Sequence, residues 1–241
     1  MLDLLELLQL TFALFRRNVG LYIGYSAWLL IPTGLIFIAG QLFPAATQTI
    51  DVLGQIVLGI MAVWVWCILT LITAQIIGHE KINTEKLSRQ AWQIVPSLIL
   101  VGLMVGIVEI VGLALFLIPG IIFIVWYGFA QMDVVLGGRR GLAAMAHSRD
   151  LVRGRFFPVL WRLVVGPLAI TLGYLLISCS IISLVEFVST GTVTLFSDSP
   201  SLAAQMLGSI TDALVLPIFV IYLALLYLDL KQTHKGAKKA V

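Results

Sequence analysis

Four side chains in this chain could do chemistry inside an apolar medium: Glu109, Asp212, Asp133 and Arg162. A charged group within a membrane-spanning helix is costly, so each needs a polar partner or a pathway that uses it. Glu109 lies about two turns from the outer end of its apolar run, and Asp212 sits at a similar depth in the last run. Facing each other, the two acids would make a proton- or substrate-coupling site. The plainer reading is a protonated or hydrogen-bonded acid that fixes helix packing. Asp133 and Arg162 each lie about a turn inside the opposite boundary, where an ion pair between helices is expected. Arg162 can also snorkel to the headgroups.

A second set is purely basic. Arg139, Arg140, Arg149, Arg153 and Arg155 form the densest charge in the chain, and Lys81, Lys86 and Arg89 fall on the same side. Near an anionic surface each such residue contributes about 1 kcal/mol. They therefore suit lipid phosphates, although topology alone would also require them. The expected partners are membrane lipids, anionic ones included, with a protein partner or a second copy as alternatives. Nucleic acid is not expected, because the basic residues flank apolar runs.

Enzyme motifs are missing. His79, His147 and His234 are too scattered for a metal site, and neither HExxH nor a GxxxxGK[ST] phosphate loop occurs. No apolar run contains a histidine, which argues against an intramembrane serine protease despite Gly24-Tyr-Ser26. Cys67 and Cys179 lie in apolar runs without CxxC spacing and read as reduced core residues. No catalytic residue, metal or cofactor is expected.

The elements that must position these groups follow from charge and hydropathy. Apolar residues make up 60 % of the 241 and charged residues 11 %, far from the roughly 45–50 % and about 25 % of a soluble domain. All 15 Lys and Arg fall in stretches that can lie on one side of a bilayer. The links around Pro44 to Asp51, Leu117 to Gly120 and Ser189 to Gln205 contain none. The positive-inside rule then gives six spans with both termini cytoplasmic, in one integral domain covering 1–241.

The spans are expected at about 19–43, 52–77, 94–117, 120–136, 156–184 and 206–228. They form an all-α protein of three hairpins, each preceded by an amphipathic cytoplasmic helix. The first such helix is 1–17, with Leu5, Leu8, Phe12 and Phe15 opposite Asp3, Glu6 and Gln9. The second is a short helix capped by Asn83 or Thr84, and the third is Gly141 to Arg153. Pro32, Pro158 and Pro167 should bend their spans. Spans 3 and 4 turn at Pro119-Gly120, either crossing fully or as a re-entrant pair. Gly102 and Gly106 have the spacing for close helix approach, and Trp28, Trp64 and Trp66 fall near mid-bilayer.

Three runs carry a family likeness: Leu117-Ile-Pro-Gly-Ile-Ile, Gly141-Leu-Ala-Ala-Met-Ala-His-Ser148 and Leu151-Val-Arg-Gly-Arg-Phe156. With the ending Leu226-Tyr-Leu-Asp-Leu-Lys231 and the opening before Arg16-Arg17-Asn18, the chain resembles the membrane domain of some bacterial glycerophosphodiester phosphodiesterases. It is also similar to the related stand-alone six-span inner-membrane proteins of the YciC-like group. The resemblance implies a six-helix module of a bacterial cytoplasmic membrane without an established activity. The phosphodiesterase chemistry of the two-part relatives belongs to a separate soluble barrel, so no catalytic residue carries over. The leading expectation is a non-enzymatic, lipid-associated or partner-binding module. The alternatives are a small transporter, channel or lipid-moving protein using Glu109, and more weakly an enzyme acting on lipid headgroups.

Overall fold

Helices account for nearly all of the computed structural model, which describes residues 2–190 and 202–239. Most of the Ser/Thr-rich loop expected at 189–205, with Asp198, lies outside the described residues. Ten α-helices and no strand are found among the described residues. They are α1 (Leu4–Arg17), α2 (Val19–Ser26), α3 (Leu30–Leu42), α4 (Thr47–Ile77) and α5 (Thr84–Leu115). After these come α6 (Leu117–Tyr127), α7 (Ala130–Gly137), α8 (Leu142–Val152), α9 (Phe156–Thr190) and α10 (Leu202–Lys239). Six helical stretches are long and apolar enough to cross a membrane: 19–42, 44–77, 84–115, 117–137, 156–185 and 207–234. This is a multi-pass membrane protein.

The boundaries differ from expectation where backbone chemistry is local. Span 1 breaks at a 3-10 turn, Ala27–Leu29, before Pro32. The ring of Pro32 would meet the carbonyl of Trp28 in a continuous helix, so the distortion precedes the proline. The link between spans 1 and 2 is shorter than expected, because α4 already begins at Thr47. The expected short helix before span 3 is not separate: Asn83 caps α5, accepting from the Lys86 N–H at 3.0 Å, and α5 runs unbroken through Pro96. Likewise α9 continues through Pro167 and α10 through Pro217, while Pro158 sits in the first turn of α9, where no helical N–H is lost.

The turn between spans 3 and 4 is made by Phe116, whose backbone is extended (φ −166°, ψ 156°), and not by Pro119-Gly120. Pro119 lies in the first turn of α6. Gly120 serves packing: a Cβ there would come within 2.4 Å of the Leu113 side chain. Gly112 faces it from α5, and its Cβ would lie 3.2 Å from the Gly120 Cα. Gly102 of the expected small-residue pair meets the Gln131 side chain on α7, whereas Gly106 faces open space.

The core is displaced toward the basic end. On α4 the buried residues run from Trp64 to Thr73. They meet Val220 to Leu230 of α10 and the buried side chains of α7, on which α8 packs in turn. Three fully buried tyrosines pin spans together. Tyr22 bonds Thr73 across spans 1 and 2 at 3.0 Å, and Tyr222 donates to the Arg162 carbonyl of span 5 at 2.6 Å. Tyr227 reaches span 4. At the opposite end, Leu35, Ile38, Val52, Ile56, Ile107 and Phe116 are exposed, as lipid-facing side chains are. α1 packs chiefly on α10. It buries Leu7 and Thr11, leaving Leu5 and Phe12 of the expected apolar face outward. The Leu2 N–H ties it down, donating to the Asp229 carboxyl at 3.1 Å.

Candidate functional site

Two polar constellations stand at the basic end, one closed and one open. The closed one is built around Asp133 on α7, which is fully buried. Span 4 is interrupted between α6 and α7, and this break frees backbone groups inside the bundle. Ser148 of α8 satisfies them: its Oγ accepts from the Phe129 N–H at 3.2 Å and donates to the Trp126 carbonyl at 2.7 Å. Next to it, the Arg149 guanidinium lies 4.4 Å from the centre of the Trp126 ring, a cation–π contact. The break thereby holds α8 against span 4.

α7 ends at Gly138, whose left-handed backbone (φ +68°) turns the chain back so that Arg139 faces Asp133. The Arg139 Nη1 donates to both carboxyl oxygens, at 3.0 and 3.2 Å. The Tyr227 hydroxyl donates to Oδ1 at 2.6 Å, and His147 Nδ1 lies 2.9 Å from the same oxygen. Gly137 is required here, since a Cβ would stand 2.3 Å from Oδ1. Burial holds the His147 imidazole below its usual range; Asp133 opposes that shift, while Arg139 and Lys231 reinforce it. Both oxygens of Asp133 are occupied by protein groups. The arrangement joins spans 4 and 6 to α8 and encloses the acid completely within the protein.

The expected Asp133–Arg162 pair is therefore not formed. Arg162 donates to the Pro158 carbonyl at 3.3 Å on its own helix, and the guanidinium on Asp133 comes from six residues along the chain. Glu109 and Asp212 are not brought together either. Asp212 accepts a hydrogen bond from Tyr174 on α9. α5 and α10 make no extensive contact with each other, and Tyr174 on α9 is the side chain that meets Asp212. Glu109 is half-buried and has no hydrogen-bond or ion-pair partner among the described residues.

The arginine cluster divides. Arg139 is spent on Asp133, and Arg155 donates to the Thr233 carbonyl at 3.3 Å. Arg140, Arg149 and Arg153 stay exposed. Sequence reasoning missed His147 and Tyr227 as members of the closed cluster. Their signal was weak, because a histidine in a basic link and a tyrosine in an apolar run are each common.

The open constellation lies between spans 1, 2 and 3. It is a groove of about 590 Å³ walled by Tyr25, Trp28, Trp64 and Trp92, with Ser88 and Arg89 at its margin. Trp64 stacks on Trp92 at 5.6 Å between ring centres and meets Trp28 edge-on at 6.2 Å. Trp28 and Trp64, expected near mid-bilayer, are thus drawn to the level of the polar start of α5. Trp64 is buried, and its indole N–H has no acceptor among the described residues.

No cluster of three or more His, Cys, Asp or Glu suited to a metal occurs among the described residues. Comparison with models of known families, with characterised proteins and with solved structures gave no match.

Proposed function

We propose that this protein is a non-enzymatic module of a bacterial cytoplasmic membrane, related to the phosphodiesterase membrane domains it resembles, that associates with lipid through its basic rim. Both termini then lie in the cytoplasm, as the distribution of Lys and Arg requires. The observation that carries this reading is the sorting of the arginines. The ones that could serve chemistry beside Asp133 are consumed by internal partners. Arg140, Arg149 and Arg153 remain exposed beside the closed cluster. Guanidiniums in that setting take phosphate oxygens. Native mass spectrometry of the purified protein tests it. Retained anionic phospholipid should fall severalfold when Arg140, Arg149 and Arg153 are replaced by Ala. Unchanged retention would remove the proposal.

One observation favours a second reading, a lipid-moving protein or small transporter. A mainly apolar cavity of about 350 Å³ between α9, α10 and the first helices is lined by Tyr174, Ser178 and Thr211, and Tyr174 is bonded to Asp212. Flux or lipid scrambling in liposomes that is abolished by Asp212→Asn and reduced by Glu109→Gln would establish it over the first.

A further inference from the structure

Charge balance separates the tryptophan groove from the basic rim. The rim sets three exposed guanidiniums, Arg140, Arg149 and Arg153, beside one exposed carboxyl, Asp150, whereas the groove is lined by one residue of each sign, Glu85 and Arg89, and no other charged side chain. These two stand one turn apart on α5 with their charged atoms 3.6 Å from each other, and both are largely exposed. An ion pair that long and that wet contributes little, so a ligand can divide it at small cost. Below it lie the three indoles and Tyr25. Gly20 and Gly24 leave the span 1 wall bare: a Cβ on either would meet no atom within 4 Å.

The groove also carries an unmet demand. Trp64 is 5 % exposed, and its indole N–H lacks an acceptor among the described residues. Buried donors of this kind are nearly always paired, and this one borders an open groove with room for an acceptor.

We infer that this groove binds a zwitterionic aminophospholipid headgroup, with Arg89 on its phosphate, Glu85 on its ammonium and the indoles against the ammonium and glycerol. Each part of that ligand answers a feature of the site. A phosphate oxygen is the strong acceptor that Arg89 and Ser88 can share. An ammonium is held by a carboxylate together with aromatic faces. A headgroup without a cation would take Arg89 for its phosphate and leave the Glu85 carboxylate beside it without a counter-charge in the groove, so phosphatidylglycerol is disfavoured here even though it suits the rim. A free, soluble phosphoethanolamine would leave the indole walls uncovered. The assignment rests on the lipid-associated reading above, but it concerns different residues and a different lipid.

The test uses the full chain in nanodiscs of equimolar phosphatidylethanolamine and phosphatidylglycerol. Lipids retained on release are counted by native mass spectrometry, and a photoactivatable phosphatidylethanolamine is mapped by peptide sequencing. The wild type should cross-link within 84–93 and 20–28 and prefer phosphatidylethanolamine there. Glu85→Gln should reduce that preference about tenfold, the value of one charge-assisted hydrogen bond. Arg89→Ala should abolish cross-linking at those peptides. Both side chains are exposed, so unfolding is not expected, and an unchanged melting temperature verifies it.

Replacing Arg140, Arg149 and Arg153 with Ala should deplete phosphatidylglycerol and leave the groove cross-link intact. Were that triple variant to keep its phosphatidylglycerol while Glu85→Gln lost phosphatidylethanolamine, the rim reading would fail and the groove would stand. Cross-links elsewhere, or at the groove but indifferent to Glu85→Gln and Arg89→Ala, would overturn the inference. So would phosphatidylglycerol filling the groove in the wild type.

Discussion

Asp133 and Trp64 are both buried polar side chains at the basic end of the bundle, yet one is saturated and the other is left wanting. Around Asp133 the protein supplies a guanidinium, a phenol and an imidazole from three separate elements. Around the Trp64 N–H it supplies aromatic rings and, among the described residues, no acceptor. The difference teaches what each region is for. A buried charge whose partners are all internal is a fastener, valued for the geometry it imposes. A buried donor beside an open groove has room for an acceptor from outside, which the proposed headgroup would supply.

Breaking the closed region should have the largest consequence. Asp133→Ala would leave the buried Tyr227 hydroxyl without its acceptor, at about 1–3 kcal/mol, and would also open a void in the core and release the half-exposed Arg139. The expected result is a chain that no longer elutes as a single species on size-exclusion chromatography in mild detergent. Ser148→Ala comes next. It leaves the Phe129 N–H and the Trp126 carbonyl without their partner at the break in span 4, for about 1–3 kcal/mol. Thermal unfolding in detergent should register that loss, and Ser148→Thr should restore part of it. Gly137→Ala should cost a similar amount, about 1–3 kcal/mol, because the added methyl displaces the Asp133 carboxyl.

A smaller effect should follow pH. With the His147 pKa lowered in the folded protein, the unfolded chain takes up the proton more readily than the folded one does. Stability from this group is complete above its unfolded value of 6.5 and declines as pH falls below it. The groups facing the imidazole are Asp133, Arg139 and Lys231, and Asp133 opposes the shift. Unfolding temperature recorded from pH 7.5 to 5 should therefore drop, and His147→Asn should flatten that slope. A slope of the same size in the variant would assign the dependence to other groups.

The smallest stability effect should come from the open region, which sharpens the contrast. Glu85→Gln should leave unfolding within about 0.5 kcal/mol of the wild type while changing the lipid retained. A large destabilisation would instead make the Glu85–Arg89 pair a structural fastener like Asp133.

Much of this architecture was legible in the residues. The six apolar runs, the all-helical class and the clustering of Lys and Arg between them required no folding argument, because solvation of backbone and charge dictates them segment by segment. The capping role of Asn83 was readable for the same local reason. The pairings were not. Glu109 with Asp212, and Asp133 with Arg162, matched in depth and charge, but depth along a helix says nothing of which face it presents or which neighbour it packs on. The runs that carry the family likeness contain His147, Ser148 and Tyr227, the residues that build the closed cluster. Their role became visible only when span 4 was seen to break between Tyr127 and Ala130.

Sequence alone determined that this chain crosses a membrane six times with its cations gathered at one end, since transfer of each side chain into lipid depends on that side chain and its near neighbours. Only the tertiary structure decided which arginine closes on Asp133, which ones stay exposed, and that three distant tryptophans share a groove with Glu85 and Arg89. Those outcomes depend on helix rotation, on the break in span 4 and on a left-handed glycine. Such features are set by packing between helices, which acts over separations no local pattern encodes.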